Sequence, residues 1–130
     1  MKTVTKLRYL RYALIVAGII FIFGIYPLMH FWPSGWRWAP PQAQYEQMIV
    51  GVYATLGVFL LIASKNPLNN RSLIWFTVWS SVVHATIMLL QIIQDPQQMH
   101  HIYGDIPALY IIAAALAFLL PPKPNKHEKV

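Results

Sequence analysis

The chain has 130 residues, 57 % of them hydrophobic and only 11 % charged, against a charged share of about 25 % in soluble domains. That length suits one compact bundle with no separate soluble domain, and the absence of cysteine excludes disulfides, thiolate metal sites and thiol catalysis. The excess of base, +6, would suggest nucleic acid on a soluble surface. Here the bases flank apolar segments, where anionic headgroups account for them, so the expected partner is the lipid bilayer and not nucleic acid.

The N-terminal arm carries Lys2, Lys6, Arg8 and Arg11 and leads into the first apolar segment, residues 12–31. A helix needs about 20 such residues to cross the ~30 Å hydrocarbon core. The run is longer than the ~7–15 residues of a signal-peptide core and no small-x-small cleavage site follows, so a retained anchor helix is expected. Residues 32–44 make the longest loop, in which Trp32, Trp36 and Trp38 surround Arg37. Tryptophan favours the headgroup level, so this loop is expected to lie on the membrane surface. Pro40-Pro41 then opens the second helix, whose first turn has no use for the missing N–H groups.

The second apolar segment spans residues 48–63 and ends in the polar turn 64–72, with Lys65, Pro67 and Arg71. Proline stops the helix, Ser72 or Asn70 can cap the next one, and so short a connection makes the second and third helices antiparallel neighbours. The third segment covers residues 73–93. Beyond it, Asp95-Pro96 reads as an N-cap and first-turn proline for a short interfacial helix over 97–103. Gly104 is expected to end that helix in the left-handed conformation, and Asp105 with Pro107 restarts the chain as the fourth segment, 106–120. Pro121-Pro122 terminates it. The basic tail 123–130, with Lys123, Lys126 and Lys129, is expected to be disordered.

The fold class read from these segments is all-α: a four-transmembrane-helix bundle over residues 1–122, with a short interfacial helix before the fourth span. Charge orients it. Nine of the ten basic residues fall on the arm, the second loop and the tail, while Glu46, Asp95 and Asp105 fall on the other side with Arg37 alone among the bases. That is the positive-inside pattern with both termini cytoplasmic.

Ionisable groups within or bordering membrane helices are costly, so each is a candidate functional residue. On the third helix, Thr77, Ser81, His84, Met88 and Gln91 recur at spacings of four and three and share a face; Ile74, Val78, Val82, Ile87 and Leu90 suit lipid or packing. Counting along the helices at ~1.5 Å per residue gives a ladder toward the midplane. His30, Glu46 and Gln91 form its outermost layer, Asp105, Met88 and Tyr26 the next, and His84, Tyr53 and Tyr110 the deepest. A plainer role stands beside each: Asp105 as the N-cap of the fourth helix, Glu46 as a first-turn charge favoured by the helix dipole, and His84 as a register bond to Tyr53, Tyr110 or a serine. The predicted cavity set is Glu46, Tyr53, Ser81, His84, Met88, Gln91, Asp105 and Tyr110, opening to the outer face.

The stretches Trp79-Ser80-Ser81-Val82-Val83-His84-Ala85 and His101-Ile102-Tyr103-Gly104-Asp105-Ile106-Pro107-Ala108-Leu109 resemble the small bacterial four-helix membrane proteins grouped as a domain of unknown function, loosely DoxX-like in architecture. Glu46-Gln47-Met48-Ile49-Val50-Gly51-Val52-Tyr53 and Lys65-Asn66-Pro67 also fit, so the resemblance covers nearly the whole chain. It implies the fold and a bacterial inner-membrane setting, and carries no catalytic role.

Three readings of function follow. One is a non-enzymatic accessory subunit, scaffold or small-ligand binder, alone, as a homo-oligomer or in a larger membrane complex. No phosphate loop, paired-histidine zinc helix or dinucleotide fingerprint argues otherwise. The second is a metal or proton site built from His30, His84, His101 and Asp105 with Glu46, nitrogen and oxygen donors to which neighbouring methionines would add affinity for copper. The third is a redox or quinone-binding partner, with Tyr53, His84 and Tyr110 around a headgroup. No particular cofactor is indicated.

Overall fold

The computed structural model describes residues 2–37 and 43–124. The opening of the second helix by Pro40-Pro41, the position of Trp38, and the disorder expected of the tail from 125 onward lie outside these residues. All regular structure among them is helical.

Helix α1, Thr3–Ile19, begins well before the apolar segment, because the basic arm is free of glycine and proline and rich in good helix formers. The chain then passes through a π-helical turn, Ile20–Gly24, into α2, Ile25–Phe31. In that turn the Ile25 N–H bonds to the Ile20 carbonyl, five residues back. Pro27 follows, with no N–H for the Phe23 carbonyl and a ring that crowds it; a widened turn takes up the misfit. The single helix expected over 12–31 is therefore longer and locally wider.

A one-turn helix α3, Pro33–Trp36, leads toward α4, Ala43–Lys65. The turn beyond it is a 3₁₀ helix, Pro67–Asn70, followed by α5, Arg71–Gln94. Asn70 takes the N-cap position, but its side chain donates back to the Asn66 carbonyl instead of capping α5. Asp95 caps the next segment as expected, accepting from the Gln97 N–H, although that segment, Pro96–Tyr103, is 3₁₀. Helix α6, Asp105–Leu119, ends at Leu120, which is extended because it precedes Pro121.

Among the described residues, three stretches are long and apolar enough to cross a membrane, Thr3–Phe31, Gln44–Lys65 and Pro67–Gln94. A fourth is present if Pro96–Tyr103 and Asp105–Leu119, bent by 44°, count as one span. Helix α6 alone has 15 residues, roughly 22 Å at 1.5 Å each, short of the ~30 Å core.

The left-handed conformation expected at Gly104 is not found: its φ and ψ are −119° and −106°. Glycine is needed there for a different reason. A Cβ would lie 2.6 Å from the Gly35 carbonyl carbon, so the two loop segments meet backbone to backbone. A second close approach joins the first span to α4, where a Cβ on Gly57 would lie 2.7 Å from the Gly18 carbonyl oxygen. Small residues at such crossings bring membrane helices together.

The main pairings are the first span with α4, and α5 with α6, joined by α1 against α6. Helices α4 and α5, expected to be close neighbours, pack less extensively than α4 does on the first span, where the glycine crossing brings the two backbones together. The N-terminal arm touches the Pro67–Asn70 turn, and Lys6 Nζ lies 4.9 Å over the Phe118 ring near the end of α6. These form the basic end. At the opposite, loop end α3 packs on the Pro96–Tyr103 segment.

All four long helices build the core of the basic half, with Leu10 and Leu14, Leu60, Ile74 and Val78, and Leu116 fully or nearly fully buried. Val78 thus belongs to the core and not to a lipid-facing side, whereas Leu90 is exposed. In the loop half the buried apolar cluster is Ala85, Met88, Ile92, Ile106 and Leu109, from α5 and α6 alone. Helix α4 reaches that cluster through the half-buried Tyr53.

Candidate functional site

The space left in the loop half is a cavity of about 1130 Å³, slightly above the ~300–1,000 Å³ of ordinary small-molecule sites. Ile20, Phe21 and Gly24 of the π turn contribute one wall, consistent with the frequent use of π turns at functional sites. Helix α5 contributes Ser80, Val83, His84, Ile87, Met88 and Gln91, an i, i+3, i+4 stripe that faces one way. Ile49 of α4 and Val83 and Ile87 of α5 line the cavity yet remain about half exposed, which places a side opening between α4 and α5.

The walls are largely apolar; the Ser80 hydroxyl is spent on the Thr77 carbonyl of its own helix, and the other polar groups sit at two levels. At the deeper level Tyr53 Oη and His84 Nδ1 share a hydrogen bond of 2.5 Å, and the Phe21 ring meets Tyr53 edge-on at 5.0 Å. This bond links α4 to α5. It engages one imidazole nitrogen, and Nε2 makes no hydrogen bond among the described residues. If Tyr53 donates, Nε2 carries the proton and presents a donor; in the other tautomer it presents an acceptor.

The second level lies toward the loops. Gln91 is seven residues beyond His84, about 10 Å along the helix. Glu46, on the first turn of α4, accepts from Arg37 Nε at 3.1 and 3.0 Å with its two oxygens. Asp105 Oδ1 accepts from His101 Nδ1 at 2.8 Å, and the His101 side chain is almost fully buried. Asp105 is the first residue of α6, with Gly104 in the N-cap position. Its carboxyl therefore grips the preceding segment instead of capping the helix, though a charge in this first turn still suits the helix dipole.

Of the eight residues expected to share a cavity, Glu46, Tyr53, His84, Met88, Gln91 and Asp105 line this one. Ser81 and Tyr110 do not. Ser81 is 2 % exposed within the helix packing, and Ser80, one residue or about 100° earlier, takes its place. Tyr110 Oη bonds to Thr86 Oγ1 at 2.9 Å, tying α6 to α5 away from His84. Tyr26 is exposed, and the His30 ring is exposed and stacks edge-on against Phe31. The four residues proposed as metal ligands are not assembled: His101 and Asp105 pair, His84 bonds to Tyr53, and no three His, Asp or Glu side chains among the described residues converge as a metal set.

Sequence reasoning missed Trp36, Tyr45 and the π turn as parts of the wall. Gly24 and Pro27 were a readable signal for the last of these. Trp36, at the end of α3, and Tyr45, on the first turn of α4, reach the cavity through how these segments pack, for which the chain has no local sign.

The chain belongs to the family of unknown function DUF6632, whose model matches residues 4–126. Among curated proteins and solved structures, none matches it.

Proposed function

We propose that this chain is a non-enzymatic four-pass protein of the bacterial inner membrane that holds a small amphiphilic molecule in its loop-half cavity. The observation that carries the reading is the cavity itself: largely apolar walls drawn from all four long helices, with the Tyr53–His84 pair and Gln91 about 10 Å apart along its depth. A ligand with an apolar body fits such walls, and a few placed polar groups orient it. Its head would meet His84 Nε2 at the deep level or Gln91 and the Glu46–Arg37 pair at the rim. In this reading the bent pair Pro96–Tyr103 and Asp105–Leu119 is the fourth span. Both termini and the Pro67–Asn70 turn are cytoplasmic, following the sorting of basic residues to that end, and the rim faces outward.

Filling the cavity tests binding. Ala108 lines it and is half-buried, so Ala108→Trp should occupy the space while the protein still elutes as a helical, monodisperse species. Organic extracts of purified wild type should contain a stoichiometric small molecule that the variant lacks; identical extracts sink the reading. Single cysteines test orientation: at Ser34 and Gln97, both exposed, they should react with an impermeant thiol reagent on intact cells, and at Asn69 they should not. The reverse pattern inverts the orientation.

A quinone-like headgroup is the second reading, favoured by the Tyr53–His84 bond, which presents one polar ring nitrogen in an apolar chamber. A visible or near-ultraviolet chromophore in the extract selects it.

A further inference from the structure

We infer that the basic end carries a groove for the phosphate headgroup of an anionic phospholipid, between α1 and the end of α4. The groove measures about 560 Å³ and is separate from the loop-half cavity. Its rim presents Arg8, Arg11 and Tyr12 from α1, with Ser64 and Lys65 from α4. Arg8 stands three residues before Arg11 and four before Tyr12, so the three rise along one face of the helix. Lys65, the last residue of α4, closes the cluster from the other side.

Three cations in one groove repel one another, and no carboxylate among the described residues lies on this side to offset them. The carboxylates among the described residues, Glu46, Asp95 and Asp105, lie toward the loop end and are engaged by Arg37, by the Gln97 and Gln98 groups, and by His101. An anion is the missing partner. Guanidinium forks match the oxygens of a phosphate in paired hydrogen bonds, and the ammonium of Lys65 adds a point charge. The remaining lining is apolar, Val4, Leu7 and Ile15. The groove also sits where the basic arm gives way to the apolar segment at Tyr12. A soluble phosphate would use the cations and waste the apolar wall, whereas a phospholipid uses both. Basic pockets between spans at this membrane level are the setting in which anionic headgroups are recognised.

The test uses the full chain in a neutral detergent, where no charged surface attracts it. Phosphatidylglycerol, phosphatidylcholine and sodium phosphate are titrated separately, and bound adducts are counted by native mass spectrometry. Phosphatidylglycerol should bind at one saturable site, with phosphatidylcholine and phosphate far weaker. The triple variant R8Q/R11Q/K65Q should weaken that binding by on the order of 100-fold, the combined weight of three cations near a lipid headgroup. The charge-matched K2Q/K6Q/K123Q, which removes three cations outside the groove, should retain it. Equal losses in the two triples would reduce the effect to net charge and overturn the site. Equal binding of phosphatidylcholine would overturn the anion requirement, and equal binding of phosphate the lipid. Should the first triple fail to fold, the single variants R8Q and K65Q, each expected to weaken binding about 5-fold, decide the matter.

Discussion

The two halves of this bundle draw on the same apolar segments and solve different problems with them. In the basic half, side chains from all four long helices interlock, and Leu10, Leu14, Leu60 and Ile74 are completely buried. In the loop half the fully buried apolar residues come from α5 and α6, and α4 reaches that cluster through Tyr53, which also meets Phe21 of the first span. The difference has local causes. The Gly18–Gly57 crossing binds α4 to the first span, and the π turn above it adds width where the chain leaves the packed region. What holds the hollow half together is correspondingly polar: the Tyr53–His84, Thr86–Tyr110, Arg37–Glu46 and His101–Asp105 pairs, with the backbone contact of Gly35 and Gly104 across the top. Packing gives stability at one end, and a few directional bonds keep a chamber open at the other.

Side-chain truncation should break this contrast most plainly. Leu60→Ala removes a fully buried side chain from the four-helix core and should cost about 2–5 kcal/mol. Ile87→Ala, at the open wall of the cavity and half exposed, should cost under about 1 kcal/mol, since no closed void is created. Reversible denaturation in mixed micelles measures both, and equal losses would mean that the halves are equally packed.

A smaller effect is expected at the glycine contact over the cavity. Gly104→Ala drives a methyl group into the Gly35 backbone, an overpacking worth about 1–3 kcal/mol. It should loosen the loop end selectively, raising amide exchange in Pro96–Tyr103 while Leu10 to Ala17 stays protected.

The polar pairs come last. Tyr53→Phe deletes the bond to His84 and should cost about 0.6 kcal/mol, the average for a polar bond between membrane helices. Ligand occupancy should change far more than stability, since His84 then loses the partner that sets its tautomer and ring position. A Tyr53→Phe protein with unchanged ligand content would make this pair a register bond and nothing else.

Much of the molecule could be read from the chain because it rests on sums along the sequence. The lengths of the apolar runs, the sorting of bases from acids, and the stops at Pro67, Pro96 and Pro121 needed no tertiary information. They gave an all-helical fold with four spans, of which the structure has three as span-length helices and a fourth only as a bent pair, and a polar group set of which Glu46, Tyr53, His84, Met88, Gln91 and Asp105 line one cavity. Tertiary structure decided how the helices are rotated and which of them separate. At 100° per residue, one position of register distinguishes Ser80 in the cavity from Ser81 in the packing. The pairing of Tyr110 with Thr86, the seating of Trp36 and Tyr45 in the wall, and the role of Gly104 as a backbone contact follow from segments meeting across the fold. Hydropathy and charge add up residue by residue, whereas a cavity is what remains when helices fail to fill the space between them, and that depends on all of them together.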